Sequence, residues 1–324
     1  MSASVLVEAA GHATLAPSSH NSQPWRFVIH GDRLDLVADR SRALPVVDPD
    51  DRELAISCGA ALFQLRLALR HAGYASSVEL TPSCVGNDVL ATVRLGEPRA
   101  ATPEDERLFA VISRRHTNRA PFDSRDVPEA VRFGLIEAAR QEGAWLYIAS
   151  GMAKEGLAAL ISEGDRLQMD DPRFRRELTA WMHPNRSERG DGMPGSSQGL
   201  SDLASRLAPL VVRTFDLGGR RAARDHQLAV GSPLLAVLGT QGDEERDWIR
   251  AGEALSRVLL HVTALGMAAS FLNQPVEVAA LRGRLGELVG MAGHPQLVLR
   301  IGYPLAEVEP TPRRPIREVV RETP

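Results

Sequence analysis

The segment GAALFQLRLALRHAGYASS, from Gly59 to Ser77, recurs in altered form as GEALSRVLLHVTALGMAAS, from Gly252 to Ser270. Seven of the nineteen aligned positions are identical, and both copies repeat apolar residues at the three- and four-residue spacing of a helix. In each copy a glycine ends the helical pattern, as it does at a helix C-terminus. Chance similarity between two amphipathic helices is the alternative to a true duplication.

A short motif farther along each copy favours duplication. Arg94-Leu95-Gly96-Glu97-Pro98 resembles Arg300-Ile301-Gly302-Tyr303-Pro304, and each motif ends an apolar run typical of a strand. We therefore predict an α+β fold with two related halves, residues 1–102 and 103–324, each with a mainly antiparallel sheet and long central helices. The apolar face of each central helix needs a partner, so the halves should pack as an intramolecular pseudo-dimer.

Two other segments shape the predicted organisation. The polar stretch that follows Pro98 and extends to Glu106 is the expected linker between the halves. Residues 183–199 are rich in Gly, Pro and Ser and are expected to form a long loop. Loops of this length often act as lids, so we expect this one to cover the ligand, with Met182, His183 and Met193 against it.

The first candidate binding segment is PSSHNSQPWRF, residues 17–27, directly ahead of a predicted strand. The amides of Asn21 and Gln23 each carry a donor and an acceptor, which suits the edge of a flat heteroaromatic ring. Ser18 and Ser19 could bond hydroxyl groups or a phosphate. A polar loop that simply precedes a core strand would explain the same residues.

The second candidate segment is RRHTNRAPF, residues 114–122, which places three guanidinium groups within six residues. Arg115, Thr117 and Arg119 alternate, so in extended backbone they project to the same side. Guanidinium groups bind phosphate oxygens through paired, charge-assisted bonds. A solvated basic surface at a helix end is the alternative.

Together these segments resemble the nitroreductase family, whose members bind flavin mononucleotide (FMN). The Pro-Ser-Ser-x-Asn-x-Gln-Pro-Trp loop resembles the family's flavin-binding loop, and Arg115–Arg119 resembles its phosphate-binding segment. The double length specifically resembles the fused, Acg-type branch. The positions that the resemblance assigns to the flavin are Ser18, Ser19, His20, Asn21, Gln23, Pro24, Arg115, Thr117, Arg119, Phe271, Asn273, Arg313 and Arg314.

The resemblance also implies how the site is assembled. Family members are normally homodimers, and each flavin site takes its loop from one subunit and its Arg segment from the other. Here the loop belongs to the first half and the Arg segment to the second, so one site per chain is expected. Residues 1–16 hold no Arg or Lys, and the second half holds no second Asn-x-Gln-Pro-Trp loop. We therefore expect one FMN per chain and a monomer.

The cofactor determines the expected chemistry. Flavin N5 carries hydride, so no catalytic side chain and no metal are needed. NAD(P)H would be the electron donor, and a small electron-poor molecule the acceptor. Two other functions stay open: a flavin-sequestering or storage protein with little turnover, and a pseudoenzyme whose repeat is purely structural.

Bulk composition excludes several other classes. The net charge of −3 gives no overall basic field for nucleic acid, and no run of apolar residues is long enough for a membrane span. Cys58 and Cys84 are too few for a disulfide framework, which together with the absent signal sequence predicts a cytoplasmic protein with free thiols. The letters GDGMPG at 190–195 match a dinucleotide fingerprint, but no strand precedes them.

Overall fold

The computed structural model describes residues 2–80, 88–198, 201–214 and 218–323, which form a five-stranded sheet, a four-stranded sheet, a two-stranded sheet and twelve α-helices. The helices are α1 (Ser2–Ala13), α2 (Arg52–His71), α3 (Pro103–Phe109), α4 (Glu129–Gln141), α5 (Gly151–Asp170), α6 (Pro172–Ala180), α7 (Asp202–Thr214), α8 (Gly218–Val230), α9 (Glu245–Ala264), α10 (Gln274–Glu277), α11 (Ala279–Val289) and α12 (Ile316–Val319). The strands are β1 (Trp25–His30), β2 (Arg33–Ala38), β3 (Tyr74–Leu80), β4 (Val89–Pro98), β5 (Trp145–Ala149), β6 (Met182–His183), β7 (Met193–Pro194), β8 (Leu234–Thr240), β9 (Ala268–Phe271), β10 (His294–Gly302) and β11 (Val320–Glu322). Cys84 and Gly199, which carried sequence predictions, lie outside the described residues.

The two sheets have the same strand arrangement, which confirms the α+β class. The first contains β1-β2-β4-β3 and the second β5-β8-β10-β9, with antiparallel neighbours throughout. Ser77 of β3 pairs with Arg94, and its counterpart Ser270 of β9 pairs with Arg300. The strand register therefore repeats together with the sequence.

The two repeated helices, α2 and α9, pack against each other through their shared glycine. A Cβ atom on Gly59 would overlap the carbonyl oxygen of Ile249, and a Cβ atom on Gly252 would overlap that of Ile56. Ile56 and Ile249 are themselves separated by the 193 residues that separate the two glycines. The contact is therefore reciprocal, and only glycine allows the two backbones to approach so closely.

The two halves differ in the segments that connect their equivalent strands and helices. A two-residue turn, Gly31-Asp32, joins β1 to β2, whereas the equivalent strands β5 and β8 are separated by the helices α5 to α8. Residues 151–230 are called the helical insert below. Eleven residues, 14–24, separate α1 from β1, whereas only residues 142–144 separate α4 from β5. Near the C-terminus, β11 lies parallel to β1 and extends the first sheet.

Several sequence predictions of local structure were wrong. The expected linker includes α3, whose capping box joins Thr102 and Asp105 through reciprocal hydrogen bonds of 3.1 and 3.0 Å. The expected loop at 183–199 contains the end of β6, the strand β7 that pairs with it in parallel, and a 3₁₀ helix at Gly195–Gln198. Helices α1 and α8 were not predicted. No helix among the described residues is long and apolar enough to cross a membrane.

Candidate functional site

A cavity of about 720 Å³ lies between the two halves and is bounded on one side by the helical insert. The first half contributes Pro17, Ser18, Ser19, His20, Asn21, Glu53, Ile56 and Ser57. The second half contributes Arg115, Thr117, Arg119, Leu255, Ser270, Phe271, Leu272, Asn273, Gln274, Glu277, Leu297, Arg300, Thr311 and Arg313. The insert adds Gln168, Met169, Phe174, Leu178, Met182, Met193, Ala204, Leu207, Ala208, Val211, Val212, Arg221, Arg224, Asp225 and Leu228.

The loop before β1 enters the cavity in a constrained conformation. His20, Asn21 and Gln23 all have positive φ, between 51° and 54°, a region that non-glycine residues seldom occupy. The Ser18 hydroxyl accepts a hydrogen bond of 3.0 Å from the backbone N–H of Gln23, which closes the turn. Strained backbone of this kind is typical of ligand-binding segments that their surroundings hold in place.

Asn21 connects this loop with the C-terminal tail. Its Nδ2 donates to the carbonyl oxygens of Gly192 and Pro312, both at 3.0 Å. Its Oδ1 accepts from Nη1 of Arg313 at 3.1 Å. Arg313 also shares the carbonyl of Leu15 with Arg115, at 3.3 and 3.1 Å. The sequence-predicted loop and Arg segment, far apart in the chain, are therefore brought to one cavity.

Three of the predicted flavin residues do not line the cavity. Gln23 is fully buried, and its side chain donates to the carbonyl of Gly190 at 2.8 Å and accepts from the backbone N–H of Arg314 at 2.9 Å. The carbonyl of Pro24 accepts from the Cys58 thiol at 3.3 Å. Arg314 donates to the carbonyl of Gln23 and lies 3.6 Å from Asp39. The structure gives these residues contacts that hold the loop and tail together.

Four guanidinium groups at the cavity that are buried or half-buried lack a carboxylate partner. Arg115, Arg119, Arg300 and Arg313 form no ion pair within the described part of the chain, and the Nε atoms of Arg115, Arg300 and Arg313 have no hydrogen-bond partner there. Burial, followed by the charge of Arg313, lowers the pKa of Arg115 to about 9. Burial alone lowers the pKa of Arg313 to about 10. Buried charges without partners are costly, so these groups indicate an anionic ligand.

The carboxylate of Glu53, which the sequence analysis did not identify, lines the same cavity as these guanidinium groups. Glu53, 2% exposed, accepts hydrogen bonds from the Ser19 hydroxyl and, at 3.1 Å, from the Asn273 amide. Burial, followed by the nearby Glu53 charge, raises the pKa of Glu277 to about 8. Gln168 of the insert donates to Glu277 at 2.5 Å. Glu277 is therefore largely a neutral hydrogen-bonding group at neutral pH.

The insert supplies the apolar wall of the cavity, and its composition differs from the expected lid. Met182 and Met193 line the cavity, as proposed for the lid, but His183 does not: it is buried, with Asp191 at 3.7 Å. Helix α7 lines the wall through residues 204–212, and its Leu207 is 52% exposed at the same time. The wall is therefore formed mainly by α7 and its neighbouring helices.

His20, another residue predicted to contact the flavin, also lines the cavity. Burial, followed by the charges of Arg221 and Arg119, lowers its pKa to about 4. The imidazole is therefore neutral at physiological pH and adds no positive charge to the cavity. The sequence also gave no indication of Arg221 and Arg224, because the helix that carries them was not predicted.

A smaller cavity of about 470 Å³ occupies the repeat-related position. It is lined by Arg66, Val78, Leu80, Arg246, Arg250 and Glu253. At the 193-residue offset, four of these residues correspond to residues of the main cavity: Arg246 to Glu53, Arg250 to Ser57, Val78 to Phe271 and Leu80 to Asn273. The second cavity is thus the counterpart of the first, with different chemistry.

Comparison with known proteins identifies full-length relatives, although no protein-family model matches. The chain is 32% identical over 308 residues to a proposed NAD(P)H nitroreductase of Mycobacterium tuberculosis, covering 95% of this chain and 87% of the relative. It is 31% identical over 325 residues to the proposed NAD(P)H nitroreductase Acg of the same organism, covering 97% and 95%. Among solved structures, the FMN-dependent nitroreductase NfnB of Mycobacterium smegmatis, in complex with NADPH, matches at 19% identity and a TM-score of 0.44, over 68% of this chain and 98% of that one.

Proposed function

Because the chain belongs to the nitroreductase family, we propose that it binds one FMN and acts as an NAD(P)H-dependent oxidoreductase on a small electron-poor acceptor. The four buried or half-buried guanidinium groups without carboxylate partners are the observation that carries this proposal. An FMN phosphate, with close to two negative charges, would compensate part of that charge. A volume of about 720 Å³ is within the usual range of cofactor pockets.

The residues of the proposed FMN site divide into a group that would hold the phosphate and a group that would hold the ring. Arg115 and Arg313 meet at the carbonyl of Leu15 and would hold the phosphate, with Thr117 and Ser18 as further donors. Asn21, Phe271 and Asn273 would hold the ring, together with Ser19 and His20. Gln23, Pro24 and Arg314 would act by fixing the loop and tail that carry these side chains.

Bound FMN would supply a ring that accepts and donates hydride at N5. The chain's own contribution is binding, orientation and electrostatics. The positive charge of Arg119 and its neighbours in the same cavity would favour the reduced, anionic form of the cofactor. The apolar wall of α7 would limit the access of water to a bound ring. None of this requires a protein nucleophile or a metal.

We further propose that residues 1–102 and 103–324 form an intramolecular pseudo-dimer with one active site. The matched strand registers and the reciprocal Gly59 and Gly252 contacts support this arrangement. The counterpart cavity lacks a ring loop, since residues 142–144 replace residues 14–24. It also presents Arg246 and Leu80 where the main cavity presents Glu53 and Asn273. We therefore expect one FMN per chain.

Flavin release and anaerobic reduction test the proposal. Heat-denatured protein should release one equivalent of FMN, identified by chromatography. Anaerobic NADPH or NADH should bleach the absorbance of the bound flavin, and a nitroaromatic acceptor should restore it. Protein that binds no FMN would contradict the proposal entirely. Bound flavin that is reduced by dithionite but by neither nucleotide would instead indicate the sequestering function.

A further inference from the structure

The six guanidinium groups at the main cavity fall into two clusters. Arg115 and Arg313 form the first, because both donate to the carbonyl of Leu15. The second cluster consists of Arg119, Arg221, Arg224 and Arg300, which line the cavity from the Arg segment, α8 and β10. Two of these four residues come from the helical insert, for which the first half has no counterpart.

Electrostatic interactions divide the arginines in the same way. Burial, then the charge of Arg221, lowers the pKa of Arg119 to about 10, and Arg224 contributes to the same effect. Burial is also the main cause that lowers the pKa of Arg300 to about 10, with contributions from Arg224 and Arg119. The pKa of Arg115 responds instead to Arg313. The positive charges within each cluster therefore lower the pKa values mainly of arginines in the same cluster.

The second cluster carries more positive charge than its neighbours compensate. Asp165 binds Arg221 at 2.9 Å, and Asp225 lies 3.9 Å from the same group. The Gln274 amide donates to both carboxylates, at 3.0 and 3.2 Å, and so fixes them in place. Four cations against these two carboxylates leave at least two positive charges, since burial also raises the pKa of Asp165 to about 7. The flavin phosphate, assigned to the other cluster, does not neutralise them.

Arg224 is the member best placed to meet an incoming molecule. It is exposed, lines the cavity and has no hydrogen-bond or ion-pair partner in the described part of the chain. Arg119, although less exposed, also lacks such a partner there. Arg300, in contrast, is held by the carbonyls of Ala120 and Asn118 at 3.0 and 3.1 Å. Unpaired guanidinium groups at a cavity suit carboxylate or phosphate oxygens.

We propose that Arg119, Arg221, Arg224 and Arg300 form a second anion-binding subsite, which holds a carboxylate or phosphate of the molecule that reacts with the bound flavin. This inference rests on the proposed function, since it assigns the second substrate of the same cavity. The anionic group could belong to a nicotinamide dinucleotide or to an acidic acceptor. Both sources share the same chemistry, and ligands that carry one or the other distinguish them.

Calorimetric titration of the FMN-loaded protein tests the subsite without relying on turnover. The ligands are adenosine 2′,5′-bisphosphate for the phosphate source, 4-nitrobenzoate for the carboxylate source, and 4-nitrobenzyl alcohol as the neutral comparison. The variants are Arg224→Gln, Arg224→Lys and the control Arg206→Gln. Arg206 is exposed on α7 of the same insert and does not line the main cavity, so its replacement removes one charge elsewhere.

We expect Arg224→Gln to weaken the binding of one anionic ligand about fivefold, between the values for exposed and buried charged contacts. Arg224→Lys should retain part of the affinity, and Arg206→Gln all of it. The ligand that weakens identifies the source of the anion. Equal loss for 4-nitrobenzyl alcohol, or no loss for either anion while flavin content is normal, would overturn the subsite. If the purified chain binds no FMN, the proposed function fails, and titration of the flavin-free protein then decides the subsite separately.

Discussion

Replacing Arg115 with methionine should change the stability of the flavin-free protein and its affinity for FMN in opposite directions. Arg115 is 6% exposed, and burial is the main cause that lowers its pKa from 12.5 to about 9. The folded state therefore bears an electrostatic cost on the order of 5 kcal/mol, present in full below about pH 9 and lost as the pH rises toward 12.5. The Leu15 carbonyl keeps Arg313 as its donor. After the lost hydrogen bond is deducted, the flavin-free variant should gain about 1–3 kcal/mol at pH 7.5.

The same substitution removes a charge-assisted contact with the proposed phosphate. Such contacts contribute about 1.5–3 kcal/mol, so the Kd for FMN should rise by roughly 10- to 150-fold. Urea unfolding of the flavin-free protein measures the first effect, and quenching of FMN fluorescence measures the second. Arg114→Met is the matched control, because Arg114 is exposed next in the chain and does not line the cavity. A destabilised variant that binds FMN as tightly as the wild type would refute the reasoning.

Three further substitutions test other parts of the structure. Gly59→Ala should destabilise the protein by roughly 3 kcal/mol in urea unfolding, because the new methyl group overlaps the Ile249 backbone; an unchanged midpoint would contradict the packing. Gln23→Ala should cost about 2–3 kcal/mol and lower the FMN content, since it removes the bonds to Gly190 and Arg314. The flavin-free wild type should lose stability as the pH rises from about 4.5 toward 8, because over that range Glu277 loses its proton in the unfolded state but keeps it in the folded state; Glu277→Gln should show a smaller slope in urea unfolding.

The repeated helices could be predicted because their apolar residues recur at the three- and four-residue spacing of a helix. The two long helices and their glycines can be identified from the sequence of residues 59–77 and 252–270 alone. Helix α8 was missed because its sequence begins with two glycines and is rich in charged residues, so packing decides its structure more than local preference. Helix α3 was taken as linker because its polar residues are those of a capped helix start, and they resemble a loop in composition.

The candidate site could be predicted where a motif is continuous in sequence. Asn21 and Arg115 were identified from short motifs, and both line the cavity. Glu53 was not, because the residues that explain it, Ser19 and Asn273, are distant in the chain. Arg300 offered a signal that was not used: a lone arginine within the apolar run of a buried strand is costly without a ligand or a dense set of acceptors. Flavin contacts of all these residues stay predictions.

The proposed fusion of two units into one chain would explain why the two cavities differ. In a homodimer, a substitution changes both symmetry-related sites together, so neither can lose its ring loop without the other. In the fused chain each unit needs to supply only one part of a single site. Residues 142–144 can therefore be too short for a ring loop, while the other unit keeps residues 14–24. The same freedom allows the helical insert to be present once, where it brings Arg221 and Arg224 to the retained cavity. On this proposal, the asymmetry of the chain would let a single site gain side chains that a symmetric pair of sites could not gain separately.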